Sequence, residues 1–472
     1  MVRRLVPLAL ALVFASCAAD PSGEAESNAS PTDPPVGAPL DGGAGSDAAA
    51  PPATPFTPAD VNHVLVTGQS NSVGVGGTPP LTTTQPYGNL MFDVGTMTGA
   101  SCDDQGCKQY QKPTAFVPLV EGDTYYAQKV ETLASGFANQ ATKLARAERG
   151  QAAHDVLVSV HGRSGRTYWC LRKTGCDWEG AGYVKAFADG MRQVEDASAI
   201  ARAKGKSHVV RAVLAVHGES DNDEDEFPLP GTDGAPSAIK SYSDALLEWQ
   251  RDYQAGVSSR TGQKEPVPLF VSQMSNWAAG LPARIPLQQL DAHVRSGGKV
   301  VVVGPTYPFT YNADCLHMDA ASERRIGEYF AKAYAAQILG GRAWEPVRPL
   351  SIAASGATIT VRFAVPKPPL VLDTDRVTDP GSYGFGFSDG SASPPRITKV
   401  AVTAPDTVTI TLAAAPTGAK RRLTYAMNAA ASGSCPGPKK GPRGNLRDSD
   451  ATPSQYGDEL FDWAVHFDLP VP

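Results

Sequence analysis

Five short β-branched runs stand out along the first two thirds of the chain: HVLVT at 63–67, DVLVSV at 155–160, VVRAVLAV at 209–216, VPLFVS at 267–272 and KVVVV at 299–303. Nearly continuous apolar runs of this length suit strands buried on both faces of a parallel sheet. Between and after them lie segments of helical period, at 126–149, 181–204, 237–258, 281–295 and 320–339. In the last, Ile326, Tyr329, Phe330, Ala333 and Tyr334 follow the i, i+3, i+4, i+7, i+8 stripe of a helix lying on a sheet. Strands and helices in alternation predict a three-layer α/β/α fold. After Trp344 the period changes to two. Segments at 358–365, 397–403, 407–412 and 422–427 alternate apolar and polar positions between Pro, Gly and Asp turns, the pattern of a β-sandwich. The expected organisation is an α/β domain at 56–342 and a β-rich C-terminal domain at 343–472.

The first 55 residues fit neither pattern. Arg3 and Arg4, an apolar stretch from Leu5 to Phe14 and then Ala15-Ser16-Cys17 read as an export signal over residues 1–17, too short to remain as a membrane span. Small residues before Cys17 resemble a bacterial lipobox, which would leave Cys17 as a lipidated N-terminus; the alternative is an ordinary signal peptide cleaved after Ala18 or Ala19. Residues 18–55 contain no Lys, Arg or aromatic residue and read as a disordered tether. Both readings export the protein to the bacterial envelope, with the membrane touched only through the lipid. Most of the formal charge of −6 belongs to this leader, so the folded part is nearly neutral. With no basic run or face, nucleic acid is excluded as a partner.

The chemistry-bearing residues cluster at the predicted strand ends, where an open α/β sheet places its ligand crevice. The first strand runs into Gly68-Gln69-Ser70-Asn71, the second into His161-Gly162-Arg163-Ser164-Gly165 with Trp169 close behind, and the third into His217-Gly218-Glu219-Ser220-Asp221. Asp314-Cys315-Leu316-His317 follows the fifth. A serine at one strand end and an Asp-x-x-His at another can meet over the sheet edge, as acyl transfer requires: the imidazole takes the serine proton and the carboxylate fixes its tautomer. Taken singly, Ser70 could be a helix-cap serine, His317 a packed histidine and Asp314 a turn residue. The glycines from Gly74 to Gly77 match no nucleotide fingerprint.

Together these blocks resemble those of the SGNH hydrolases, in particular the branch of sialate O-acetylesterases and related carbohydrate acetylesterases, over roughly residues 62–340. The resemblance implies a flavodoxin-like sheet, no metal or other cofactor, and removal of O-acetyl groups from carbohydrate. It makes Ser70 the nucleophile, completes the triad with Asp314 and His317, and gives the oxyanion hole to the N–H groups of Ser70 and Gly162. Where the family usually has glutamine before Gly-Glu-Ser-Asp, this chain has His217, whose neutral ring can still donate one hydrogen bond to the oxyanion. The second block departs as well, from Gly-Gly-Thr-Ser to Gly162-Arg163-Ser164-Gly165. Arg163 there suits an anionic sugar, or is a solvated surface arginine. Gln69, Asn71, Arg163, Trp169 and Glu219 are the expected substrate-side residues, Glu219 with a bracing role as its alternative. Competing functions are a lipase or thioesterase on longer acyl chains, and a glycan-binding surface lipoprotein that has lost activity.

Six cysteines follow Cys17, and export exposes them to an oxidising compartment. The simplest pairing is Cys102–Cys107, Cys170–Cys176 and Cys315–Cys435, the last tying the C-terminal region to the Asp-x-x-His segment; 14 other connectivities are open to six cysteines. The β-rich tail reads either as a carbohydrate-binding module or as a structural domain.

Overall fold

The computed structural model describes residues 56–99, 102–103, 106–107, 110–125, 128–148, 153–175, 185–222, 239–277, 283–427 and 435–472. The expected signal, Cys17 and the tether lie outside them.

A seven-stranded sheet forms the centre. Its strands are β1 (Val61–Gly68), β2 (Leu90–Phe92), β3 (Phe116–Pro118), β4 (Val156–Val160), β5 (His208–Val216), β6 (Leu269–Gln273) and β7 (Val300–Pro305), in the spatial order β7-β6-β5-β1-β4-β2-β3. All neighbours are parallel except β3, which closes one edge antiparallel to β2. The five expected runs thus lie in the flavodoxin-like order 2-1-3-4-5. They are strands because alternate residues find apolar layers on opposite faces: Val64 and Val66 point into one core and Leu65 into the other.

On the first face lie α1 (Leu133–Glu148) and α5 (Ala320–Tyr334), whose buried stripe is the expected Ile326, Tyr329, Phe330, Ala333 and Tyr334. On the second lie α2 (Ala186–Ala203), α3 (Tyr242–Thr261) and α4 (Arg284–Ser296), which contribute Met191, Trp249, Tyr253 and Ile285 to that core. Ser241 caps α3 and Asp319 caps α5, each side chain accepting the N–H three residues on. Helix α1 starts seven residues later than its period suggests, because Thr124–Tyr125 and Gln128–Lys129 pair as a small hairpin. The last helix continues past Tyr334 only as a π-helical turn, Ala335–Leu339.

The C-terminal region is built of antiparallel sheets. Strands β8 (Arg348–Ser355), β9 (Thr358–Ala364), β11 (Ile397–Ala404) and β12 (Thr407–Leu412) form one, in the order β8-β9-β12-β11; β10 (Phe385–Ser388), β13 (Arg422–Tyr425) and β14 (Phe467–Pro470) form another, in the order β10-β13-β14. This region does not hang from the α/β body by a linker. One continuous apolar cluster runs from Phe137 and Phe330 to Phe363, Tyr425 and Phe467. Polar contacts follow it: Tyr307 Oη donates to Ala464 O at 2.7 Å, the Gln273 amide is bonded to both backbone groups of His466, and the buried Lys332 ammonium of α5 meets Asp462 at 2.8 Å and Asp450 at 3.0 Å. Cys315 and Cys435 are joined by a disulfide. Cys102 and Cys107 face each other across two paired two-residue strands, and a bond between their side chains falls outside what is described. Cys170 is disulfide-bonded, and Cys176, its expected partner, lies outside the described residues.

Candidate active site

The strand order reverses between β1 and β5, and the crevice at their carboxyl ends is where such a sheet binds ligands. Gly68 ends β1 with φ +126°, and a Cβ there would lie 2.1 Å from Val216 O at the end of β5. Only glycine permits this approach. It turns the chain into the single 3-10 turn Ser70–Val73, with Ser70 as the first residue and 3% exposed.

Gly162, just past β4, makes a second close approach. A Cβ on it would sit 2.2 Å from Ser72 Oγ and 2.8 Å from Gly68 O. The Arg163 N–H, one residue on, donates to Gly68 O at 2.9 Å, so the loop after β4 is sutured to the loop after β1. Among the described residues neither the Ser70 nor the Gly162 N–H has an acceptor. Unengaged backbone N–H donors are the kind of group that a tetrahedral oxyanion needs.

Asp314 and His317 share one tight loop. His317 Nδ1 lies 2.7 Å from Asp314 Oδ2, while Asp314 Oδ1 accepts the N–H groups of Leu316 at 3.0 Å and His317 at 3.1 Å. Partial burial works to raise the Asp314 pKa, but these bonds outweigh it and hold the carboxyl below its ordinary value. An ionised Asp314 on Nδ1–H leaves Nε2 as the basic nitrogen. Between them Cys315 sits at φ +62°, a left-handed conformation uncommon for a non-glycine residue. Its carbonyl accepts from Asn276 Nδ2 at 3.1 Å, and its sulfur is tied to Cys435.

The loop is fastened to the serine loop at several points. Asn71 Nδ2 donates to Leu316 O at 3.3 Å and Asn71 Oδ1 accepts the Met318 N–H at 3.1 Å. Asn312 Nδ2 donates to Gly76 O and to Met318 O, both at 3.0 Å. Ser70, Gly162, Asp314 and His317 are thereby gathered at one end of the sheet, although no hydrogen bond joins Ser70 Oγ to the His317 ring among the described residues.

The other expected site residues face inward. Gln69 is 2% exposed, and its Oε1 accepts the N–H groups of Ser220 at 3.2 Å and Gly218 at 3.4 Å, bracing the Gly-Glu-Ser-Asp loop. His217 has both ring nitrogens engaged: Nε2 donates to Arg166 O at 3.1 Å, and Nδ1 accepts from Tyr242 Oη at 2.6 Å. Burial pushes its pKa down to about 4, so the ring is neutral, and neither nitrogen remains for an oxyanion. Arg163 is no surface arginine. Its guanidinium is 2% exposed, caps the carbonyls of His161 and Gly162, and lies 3.4 Å from Asp189. Trp169 is 6% exposed, with Arg172 stacked 4.8 Å from its ring, so it presents no open platform. Glu219 opens the short helix Glu219–Asn222 and is buried. Asp221, two residues on, accepts the Tyr168 N–H with both oxygens at 3.1 Å.

Sequence reasoning missed Asn276 and Asn312, although both stand at detectable places, just beyond β6 and two residues before Asp314. It also missed three buried glutamates beneath the serine loop. Glu131 accepts from Leu81 N and Thr82, Glu121 accepts from Thr132 and Ser135 N, and Glu323 of α5 is fully buried with, among the described residues, no hydrogen-bond partner on either oxygen. Burial and the facing carboxylates raise the pKa of Glu323 well above the usual range and that of Glu121 to about 8.

No family model and no curated protein sequence matches the chain. Among solved structures, a carbohydrate acetylesterase from Xanthomonas citri superposes with a TM-score of 0.53 at 14% identity, over 86% of this chain and 80% of that one. The fold is shared with an esterase. Coverage of that size exceeds what the α/β segment supplies, so the match extends into the β-rich region. A carbohydrate acetylesterase from Sinorhizobium meliloti is matched more weakly, at 13% identity over 58% of this chain and 99% of that chain with a TM-score of 0.29. The fold class read from the strand and helix pattern stands, and the fold is similar to that of a carbohydrate acetylesterase. Among the described residues no helix is long and apolar enough to cross a membrane.

Proposed function

We propose that the protein is an exported serine esterase that removes O-acetyl groups from carbohydrate through an acyl-enzyme. Ser70 Oγ attacks the acetyl carbonyl while His317 Nε2 takes its proton, and Asp314 stabilises the imidazolium that results. The Ser70 and Gly162 N–H groups receive the oxyanion. Collapse of the tetrahedral species expels the sugar hydroxyl, protonated by His317, and water repeats the sequence on the acetyl-enzyme. The observation that carries this reading is the short Asp314–His317 bond in a loop whose neighbours are bonded to Asn71, the residue beside Ser70.

The substrate class rests on support of a different kind. The inward turn of Arg163 removes the argument for an anionic sugar. Trp277, half-buried just beyond β6 with its ring edge-on to His466 at 5.5 Å, is a better stacking surface than Trp169. The Cys315–Cys435 disulfide suits an oxidising compartment, and lipid attachment at Cys17 completes the localisation.

The test is esterase activity on p-nitrophenyl acetate and on longer esters. Ser70→Ala and His317→Ala should each lower kcat by roughly 10³-fold or more, with the double variant little worse than either single one. Additive losses would overturn the mechanism. Acetyl esters should be cleaved much faster than butyryl or octanoyl esters; activity rising with chain length would replace the carbohydrate reading with a lipase.

A further inference from the structure

We infer that Asn71 is a positioning residue that sets the His317 ring against Ser70, and not a substrate contact. The inference rests on the serine-esterase reading above and deepens it. Asn71 is 1% exposed, and its amide is used on both sides by one short stretch of backbone: Nδ2 donates to Leu316 O and Oδ1 accepts the Met318 N–H. These two groups flank His317. The peptide units that carry the imidazole are therefore held by the residue covalently next to the serine hydroxyl, so serine and histidine move as one body.

The remaining ties act on other parts of the loop. Asn276 holds Cys315 O, and Asn312 holds Gly76 O and Met318 O while its own N–H donates to His317 O at 2.8 Å. None of them links the serine segment to both neighbours of His317. With both amide ends engaged, one of Asn71's two donor hydrogens and one of its acceptor directions are turned away from a ligand. A side chain so placed changes the geometry of proton transfer and leaves substrate affinity alone.

Two variants separate this role from a contact or from plain stability. Asn71→Ala removes both bonds and should lower kcat for p-nitrophenyl acetate roughly 10- to 100-fold, the scale of a displaced catalytic group, with KM changed less than about twofold. Asn71→Asp keeps the acceptor for Met318 N–H, loses the donor to Leu316 O and places a carboxylate beside His317. It should move the acid limb of kcat/KM to higher pH, because a nearby negative charge favours the imidazolium. Unfolding temperatures of both variants are measured alongside. A wild-type kcat in Asn71→Ala overturns the inference, as does a loss carried by KM. An unshifted acid limb in a folded Asn71→Asp overturns it too, and that variant decides the matter if Asn71→Ala fails to fold. Ser70→Ala is assayed in parallel: if it stays active, the esterase mechanism fails whatever Asn71 does, whereas an inactive Ser70→Ala beside a fully active Asn71→Ala removes only the positioning role.

Discussion

Gly162→Ala puts one methyl group where the loops after β1 and β4 touch. Its Cβ would lie 2.2 Å from Ser72 Oγ, 2.8 Å from Gly68 O and 3.1 Å from Val73 Cγ1. Ordinary contacts between such atoms are near 3.5 Å, so the two loops must part by about 1 Å. Overpacking of this kind costs about 1–3 kcal/mol of stability. The larger effect is expected in catalysis, since the shift would displace the Gly162 N–H from the oxyanion position proposed for it. Removing one oxyanion donor costs about 10²- to 10³-fold in kcat, and a displacement of 1 Å has a similar scale. The expected result with p-nitrophenyl acetate is a kcat lowered by roughly 10²-fold or more and a KM close to wild type, because the ground-state carbonyl is hardly bound by that donor. Adding Ser72→Ala removes the nearest clashing atom while leaving Gly68 O in place, so the double variant should recover part of the loss. A Gly162→Ala enzyme within twofold of wild type in kcat, or a defect confined to KM, would refute the oxyanion assignment.

Cys435→Ser opens a bridge between residues 120 apart, which the chain-entropy account values at about 5 kcal/mol. It should lower the denaturation midpoint in guanidinium and reduce kcat, because Cys315 stands between Asp314 and His317; an unchanged midpoint would contradict this. Glu323→Gln tests the buried acid. The folded pKa of Glu323 is raised by burial first and then by Glu121, Glu131, Asp319 and Glu219, so the folded state keeps a proton that the unfolded chain gives up near its ordinary value of 4.5. The stability this proton confers is whole below that value and is lost as pH rises toward the folded pKa, by up to ~1.4 kcal/mol per pH unit. Glutamine has no proton to lose. The unfolding temperature of the variant should therefore gain on wild type from pH 5 to pH 8.5, and a pH-independent difference would be evidence against a neutral Glu323.

Strands β1, β4, β5, β6 and β7 were legible because a strand buried on both faces must be apolar throughout, and only such a strand reads HVLVT or KVVVV. Strands β2 and β3 were not, since three residues each carry no period. The hairpin before α1 was hidden for a related reason: in the sequence Tyr126 and Val130 fall on the helical period of Leu133 and Phe137, while Glu131 is committed to the distant Leu81 and Thr82. In the C-terminal region alternation revealed β9, β11, β12 and β13, whereas β10 and β14, four residues each, depend on pairing with β13. At the site the motifs picked out Ser70 and Gly162 in the loops just past β1 and β4, and Asp314 and His317 in the loop after β7. They did not give direction. Whether Arg163 faces solvent is decided by Asp189 on α2, and whether His217 has a free nitrogen is decided by Tyr242 on α3 and Arg166 O, partners that no local pattern connects. The pairing of Cys315 with Cys435 emerged only as the remainder after two local pairs, and the continuous core beneath both regions explains why chain ends so distant in sequence meet there.

The most direct test of the account is to trap the acyl-enzyme. Wild-type protein and the Ser70→Ala and His317→Ala variants are mixed briefly with p-nitrophenyl acetate, quenched in acid and mapped by peptide mass spectrometry. The account predicts one acetyl group on Ser70 in the wild type, little or none in His317→Ala and none at position 70 in Ser70→Ala, with a burst of p-nitrophenol matching the enzyme concentration if deacylation is the slower step. Acetyl found on another residue with Ser70 unlabelled, or turnover undiminished in Ser70→Ala, would contradict it.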